Sequence, residues 1–386
     1  MLNDPPVFSR SFRGDNGDAE HFISITAPGD LLFHDQVDYI QKCYKDIQHK
    51  LKLSPESAIF RRLFVSDVIN QSSFIHQSEL VTDPLHSPVA ISIVEQSPLP
   101  AAKIALLAYH IESISPLEKQ RLSAQHVVIT KKGTRHLWST HLCAGAPITA
   151  PAVAGQTKAV FNDLVDVLTR YGSNLADHCV RTWLYIKNVD VFYRDMVTSR
   201  RELFAQQNLT DTTHYIASTG IAGCCEHPFD LVLMDAYSIL DLHPTQISYL
   251  NDFARLCPTK DYGVTFERGT RIAYADRLHY FISGTASIDR LGKTVHLGDV
   301  MRQLDLALEN IDALLRSGGS HLKDMMYFIV YLRDAADFSR VDKELRRRFP
   351  SLPIIIVVGA VCRPEWLIEL EGVAITSHEA RDLPSF

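Results

Sequence analysis

Residues 156–191, QTKAVFNDLVDVLTRYGSNLADHCVRTWLYIKNVDV, lie on residues 303–338, QLDLALENIDALLRSGGSHLKDMMYFIVYLRDAADF, without a gap and at a constant offset of 147. Gln156 falls on Gln303, Leu164 on Ile311, Leu168 on Leu315, Gly172 on Gly319, Ser173 on Ser320, Leu175 on Leu322, Asp177 on Asp324 and Asp190 on Asp337. An ungapped match of this length marks an internal repeat, and a repeat decides the architecture before any local reading does. Val160, Leu164, Val167 and Leu168 recur at helical spacing, as do Leu304, Leu308, Ile311 and Leu315, so each copy opens with an amphipathic helix. Gly172 and Gly319 stand where a helix end favours a left-handed residue. A strand follows (180–187 or 326–333), then a helix opening near Asp190 or Asp337, then a last strand (231–240 or 366–375). With a preceding β-hairpin, the unit is an α+β layer with its helices on one face.

A fainter copy stands at the front, with Tyr44, Ile47 and Leu51 for the first helix, 60–66 for the middle strand and 101–112 for the last. Polar joints are expected at 115–132 and 241–263, which carry Pro116, Pro244, Pro258 and Gly263. The expected domains are therefore 1–118, a divergent unit, 119–245, and 246–386. The length of 386 residues agrees, being too great for one core of about 100–200 residues.

Composition narrows the function classes. The chain is 46% hydrophobic and 22% charged, with mean hydropathy −0.03, as a globular protein is. Lys and Arg number 39 against 45 Asp and Glu, a net charge of −6, which provides no basic footprint for a nucleic acid. There is no apolar run long enough to span a membrane, and Met1 to Asp18 is polar, so the expectation is a cytoplasmic protein with no membrane or nucleic-acid partner. Seven scattered cysteines without a C-x-x-C pair read as reduced thiols. No H-E-x-x-H, G-x-G-x-x-G after a strand, or G-x-x-x-x-G-K is present, so neither metal nor organic cofactor is expected.

The stretch 283–288 (SGTASI), Gln303, 308–315 (LENIDALL), 330–334 (VYLRD), Phe349-Pro350 and 368–373 (IELEGV) resembles the Rid (YjgF-like) reactive-intermediate deaminase family. That resemblance implies homotrimer-like packing of sheets around a central barrel, with ligand sites in the clefts between units. Three tandem β-α-β-α-β units in one chain then form an intramolecular pseudo-trimer, monomeric or weakly homo-oligomeric. Residues 181–186 (RTWLYI), Tyr193, Arg200, 217–221 (ASTGI), 362–364 (CRP) and 367–371 (LIELE) are similar to the chorismatases, whose organisation is also pseudo-trimeric. This second resemblance implies hydrolysis of the enolpyruvyl ether of chorismate to pyruvate plus a hydroxybenzoate or a dihydroxy-cyclohexadiene-carboxylate.

Strand parity points to the seam between the second and third units. Arg181, Trp183 and Tyr185 share one face of their strand, away from the apolar Leu184 and Ile186. At the offset of 147 their counterparts are Phe328, Val330 and Leu332, so the polar set marks unit two alone. In the last strand of unit three Glu369 matches Leu233 while Glu371 matches Asp235, so Glu369 is particular to unit three and Glu371 reads as structural. A buried carboxylate has a raised pKa, which suits a general acid, and the resemblance places the family's acid at Glu369. Arg181, Arg200 and Arg363 are candidates for a substrate bearing carboxylates, with Tyr193 and Tyr215 as hydroxyl contacts. Arg200 also reads as a solvated helix charge beside Arg201. The resemblance gives Cys362 and Ala286 a part in selecting the product, Cys362 pointing to the hydroxybenzoate and Ala286 to the diene. The competing readings are a Rid-type imine or enamine deaminase and a non-catalytic metabolite-binding pseudo-trimer. The deaminase arginine expected two residues past a proline is missing, since Pro353 is followed by Ile354 and Ile355.

Overall fold

The computed structural model describes residues 7–84, 87–145 and 152–386, among which the strands form three sheets. The first contains β1 (Phe8–Arg13), β2 (Ala19–Thr26), β3 (Ala58–Val65), β4 (Ala90–Glu95) and β5 (Ile104–Glu112), with helices α1 (Phe33–Leu51) and α2 (Val68–His76) between strands. The second contains β6 (Glu118–Arg121), β7 (His126–Lys131), β8 (Thr134–Leu142), β9 (Cys179–Ile186), β10 (Ala217–Ala222) and β11 (Val232–Ile239), with α3 (Ala152–Arg170), α4 (Leu175–His178) and α5 (Val189–Gln206). The third contains β12 (Ile247–Tyr249), β13 (Gly269–Ala273), β14 (Arg277–Ala286), β15 (Met325–Leu332), β16 (Ile354–Val358) and β17 (Ile368–Ser377), with α6 (Val300–Ser317) and α7 (Phe338–Arg348).

The strand orders β1-β2-β5-β3-β4, β7-β8-β11-β9-β10 and β13-β14-β17-β15-β16 are one topology written three times, with β6 and β12 added at the edges of the second and third sheets. The expected unit thus recurs, with one addition. After its second helix each copy inserts a strand, β4, β10 or β16, parallel to the middle strand. The helix is the crossover that parallel pairing requires. The polar joint expected at 115–132 is itself strand, β6 pairing with β7 at the edge of the second sheet. Gly172 and Gly319 take the expected left-handed conformation, at φ 73° and 89°.

One face of each sheet carries helices, α1 on β5, α3 on β11 and α6 on β17. The opposite faces meet in a shared core. Aromatic rings from all three sheets interlock there: Phe60 lies 4.8 Å from Trp138, Tyr237 5.5 Å from Phe281, and Phe22 5.4 Å from Tyr327. At the seams the edges are stitched by backbone bridges, Glu95 to Cys224, Ala217 to Glu267, Ile221 to Val361, and Pro98 to Val357. An edge of parallel strands left open would recruit other chains, and these bridges close it internally.

Pairing corrects the alignment of the middle strands. Tyr185 faces Leu233 and Tyr331 faces Glu369, so Arg181, Trp183 and Tyr185 correspond to Tyr327, Ile329 and Tyr331, not to Phe328, Val330 and Leu332. The cause is local. Before β9 the chain makes the four-residue turn α4, whereas before β15 it makes a three-residue 3-10 turn, Leu322–Asp324. One residue fewer shifts the strand by one, and a one-residue shift exchanges the two faces. Phe328 accordingly packs on Phe349, while the Tyr331 hydroxyl reaches Glu371. The arginine remains particular to unit two at its position, opposite Phe60 in unit one and Tyr327 in unit three.

Candidate functional site

Three residues occupy the equivalent place in the three last strands: Ala105 facing Phe64, Leu233 facing Tyr185, and Glu369 facing Tyr331. Only the third is ionisable. Glu369 is 5% exposed and, among the described residues, makes no hydrogen bond or salt bridge. Burial, aided by the negative charge of Glu371, pushes its carboxyl from 4.5 up to about 8, against the opposing pull of Arg181 and Arg268. The group is therefore a neutral acid at pH 7 with a proton available.

The space in front of it is made by a bulge. The β14–β17 register slips between Ile282 and Thr285, which sets Gly284 against the acid. A Cβ there would stand 2.2 Å from Glu369 Oε1, so only glycine permits the approach. Ala286, directly opposite Glu369, keeps the wall thin.

Glu369 opens into a cavity of about 210 Å³ at the seam between the second and third units. Tyr193 and Arg200 enter from α5, Ser218, Thr219 and Gly220 from β10, and Arg268, Gly284, Ala286, Cys362, Arg363 and Trp366 from the third unit. Of the residues expected from sequence, Glu369, Cys362, Tyr193, Arg200, Ala286 and Arg363 are brought together there. Arg181 and Tyr215 are not. Arg181 spends its charge on Glu371, 2.5 Å away, and stands behind the wall, where Thr219 accepts from it and from the Gly284 N–H. Tyr215 turns into the helix-side core against Phe204, where burial raises its hydroxyl.

The cationic side of the cavity is distinct from that buried pair. Arg200 is 2% exposed, donates from Nε to Thr265 at 2.9 Å, and has no carboxylate within salt-bridge distance among the described residues. Burial lowers its pKa, the expected sign for a desolvated cation lacking a counter-ion. Its reading as a solvated helix charge is corrected: the side chain points inward from α5. Arg363 donates to the Gly292 carbonyl at 2.8 Å and stacks its guanidinium 4.7 Å from the Trp366 ring. Arg268, which sequence reasoning passed over, is 4% exposed, donates to the Cys257 carbonyl at 3.1 Å and pulls on Glu369. Its signal was faint, one arginine before Gly269 at a strand entrance.

Cys362 is held protonated, its thiol pushed up to about 12 by burial and then by the Glu369 charge, with the Tyr193 hydroxyl as a hydrogen-bond partner. A neutral thiol shapes and donates but is a poor nucleophile. Three guanidinium groups around one neutral acid make this a place for an anion that needs a proton, not for a metal cation.

The comparisons with known proteins agree in the region they cover. The family described as Endoribonuclease L-PSP matches residues 271–376. A 3-hydroxybenzoate synthase of Streptomyces hygroscopicus is 29% identical over 261 residues, 60% of this chain and 73% of that protein. A chorismatase of Streptomyces rapamycinicus is 28% identical over 250 residues, 57% of this chain and 70% of that one. The 3-aminoacrylate deaminase RutC of Acinetobacter baylyi is 34% identical over 103 residues, 26% of this chain but 80% of its own. Among solved structures, a chorismatase superposes over 97% of this chain and 100% of its own, with TM-score 0.60 at 17% identity.

Proposed function

The chain belongs to the RutC (Rid, YjgF-like) family, in the chorismatase-like form with three fused units, and from that premise we propose that it hydrolyses the enolpyruvyl ether of chorismate at the seam between its second and third units. The observation that carries the reading is the neutral Glu369 facing a cavity with three arginines. Two relatives matched over more than half of this chain support it, one named a chorismatase and the other a 3-hydroxybenzoate synthase.

Arg200, Arg268 and Arg363 bind the two carboxylates of chorismate, by the fork geometry that suits guanidinium to carboxylate. Protonated Glu369 delivers its proton to the methylene carbon of the enolpyruvyl group, and positive charge develops on the adjoining ether carbon. The Glu369 carboxylate so formed stabilises that oxocarbenium-like centre. Water adds to it with loss of a proton, and the hemiketal collapses to pyruvate and the ring alcohol. Capture by a ring hydroxyl instead of water leads toward the hydroxybenzoate. Cys362 and Ala286, which line the same cavity, are assigned the selection between these two outcomes. Arg181 positions the wall through Thr219 and does not touch substrate.

The test is incubation of the chain with chorismate, and separately with an imine-generating amino-acid oxidation system. Chromatography of the aromatic products is run alongside pyruvate and ammonia assays. The reading expects pyruvate and a ring product from chorismate. Faster ammonia release from the imine, with chorismate unchanged, would replace it with the deaminase reading.

A further inference from the structure

The seam between the first and second units repeats the geometry of the cavity seam with different chemistry. Leu142 pairs with Met234 as Thr285 pairs with Leu370, so Cys143 follows in the place of Ala286. Ala222 pairs with Ile186 as Val358 pairs with Leu332, so Glu226 stands in the place of Cys362. Where the other seam gathers guanidinium groups, this one gathers thiols, imidazoles and carboxylates.

Donor atoms of His141, Cys143 and Cys225 all lie within 4.8 Å of one another, and donor atoms of Cys143, His227 and Asp230 do the same. Asp230 Oδ2 is also 3.9 Å from the Cys225 sulfur. Two further observations call for a cation. Asp230 is 3% exposed, and among the described residues its partners are the Gly145 N–H and the thiols of Cys225 and Cys143, with no lysine or arginine at salt-bridge distance. A carboxylate buried with only neutral partners is costly. His141 Nδ1 is buried and makes no hydrogen bond, and Nε2 stands 2.9 Å from Glu226 Oε2 as an ion pair without hydrogen-bond geometry. A carboxylate behind one ring nitrogen, leaving the other to ligate, is the usual outer support of a metal-bound histidine.

We propose that His141, Cys143, Cys225 and Asp230 form a structural zinc site that clasps the end of β8 to the loop after β10 at the first seam. Two thiolates, one imidazole and one carboxylate suit a borderline-soft tetrahedral cation, and a filled four-ligand set leaves no open position for catalysis. His141 is aimed by a bulge, for the β8–β11 register slips between Met234 and Ala236 and its backbone takes φ 57°. Binding releases the two thiol protons to solvent, and no oxidant or reductant enters. The ligands come from two remote parts of the chain, which is why cysteine spacing announced no metal.

The test uses the full chain purified under reducing conditions, exposed to zinc sulfate and dialysed. The expected result is about one zinc retained per chain and protection of two thiols from a thiol reagent. Replacing zinc by cobalt in the unsubstituted chain is expected to give thiolate-to-cobalt charge-transfer absorption, a readout independent of whether any variant folds. Cys143→Ser with Cys225→Ser is expected to abolish retention, Asp230→Asn to weaken it about tenfold or more, and Cys257→Ser to keep it. Zinc below about a tenth of an equivalent, retention undiminished in the double-serine variant, or recovery of a Cys143–Cys225 disulfide with no metal would each overturn the proposal.

Discussion

Glu371 takes a hydrogen bond from Arg181 at 2.5 Å across the seam between the second and third units, while Glu369, two residues earlier on the same face of the strand, has no such partner. Trp183 and Tyr331 add hydrogen bonds to Glu371 at 3.0 and 2.9 Å, and Arg62 from the first unit comes within 4.0 Å. Arg62 in turn holds Asp235 at 2.8 Å. The charges that join the three units neutralise one another, and the acid left out of that network faces the cavity.

Glu371→Gln leaves Arg181 buried without its counter-charge. The expected loss is about 3–5 kcal/mol in denaturant unfolding. The same change removes a negative neighbour that raises the Glu369 pKa, so the alkaline limb of activity moves to lower pH. A purely structural Glu371 would lower stability without moving that limb.

The pH dependence follows from Glu369 itself. Activity needs the protonated form, so kcat is expected to fall above about pH 8. Between 4.5 and about 8 the folded chain keeps a proton that the unfolded chain gives up, so this group's contribution to stability declines as pH rises through that window. Glu369→Gln removes that decline. Its melting temperature should exceed that of the unsubstituted chain most clearly near pH 8, and an equal gain at pH 5 would contradict the assignment.

Arg200 is predicted to trade stability for binding. Arg200→Lys keeps the charge but loses the fork and should raise KM about tenfold. Arg200→Met should raise KM about 10–100-fold with a smaller effect on kcat, and should leave the melting temperature unchanged or higher, because it removes a buried cation lacking a counter-ion. A large fall in melting temperature would mean that Arg200 is a core ion and not a substrate contact.

Gly284→Ala places a Cβ 2.2 Å from Glu369 Oε1. The acid must swing away, and a displacement of about 1 Å is expected to lower kcat about 100-fold. The melting temperature, measured by calorimetry, is expected to change far less, since the clash can be relieved into the cavity.

Much of this was legible in the sequence because a repeated unit prints its pattern more than once. The ungapped pairing of Gln156 with Gln303 and of Gly172 with Gly319 brought out the helices, the helix ends and the threefold plan. The singular acid at 369 stood out for the same reason, against Leu233 in the second unit. What stayed hidden depends on contacts between distant parts of the chain. Arg181 reads from sequence as a candidate substrate ligand, but a sequence does not show that Glu371 arrives from another unit to neutralise it. The face assigned to β15 was inverted because a 3-10 turn is one residue shorter than the α turn it replaces. The edge strand β16 escaped because a short apolar run carries no period of its own, and β10 because Ser218, Thr219 and Gly220 break any apolar alternation.

The most direct measurement is pyruvate release from chorismate at pH 7 by the unsubstituted chain and by Glu369→Gln. The account predicts one pyruvate for each chorismate consumed, and a kcat about 100- to 10,000-fold lower in the variant. Pyruvate formed by Glu369→Gln at the unsubstituted rate, or none formed by either protein, would contradict it.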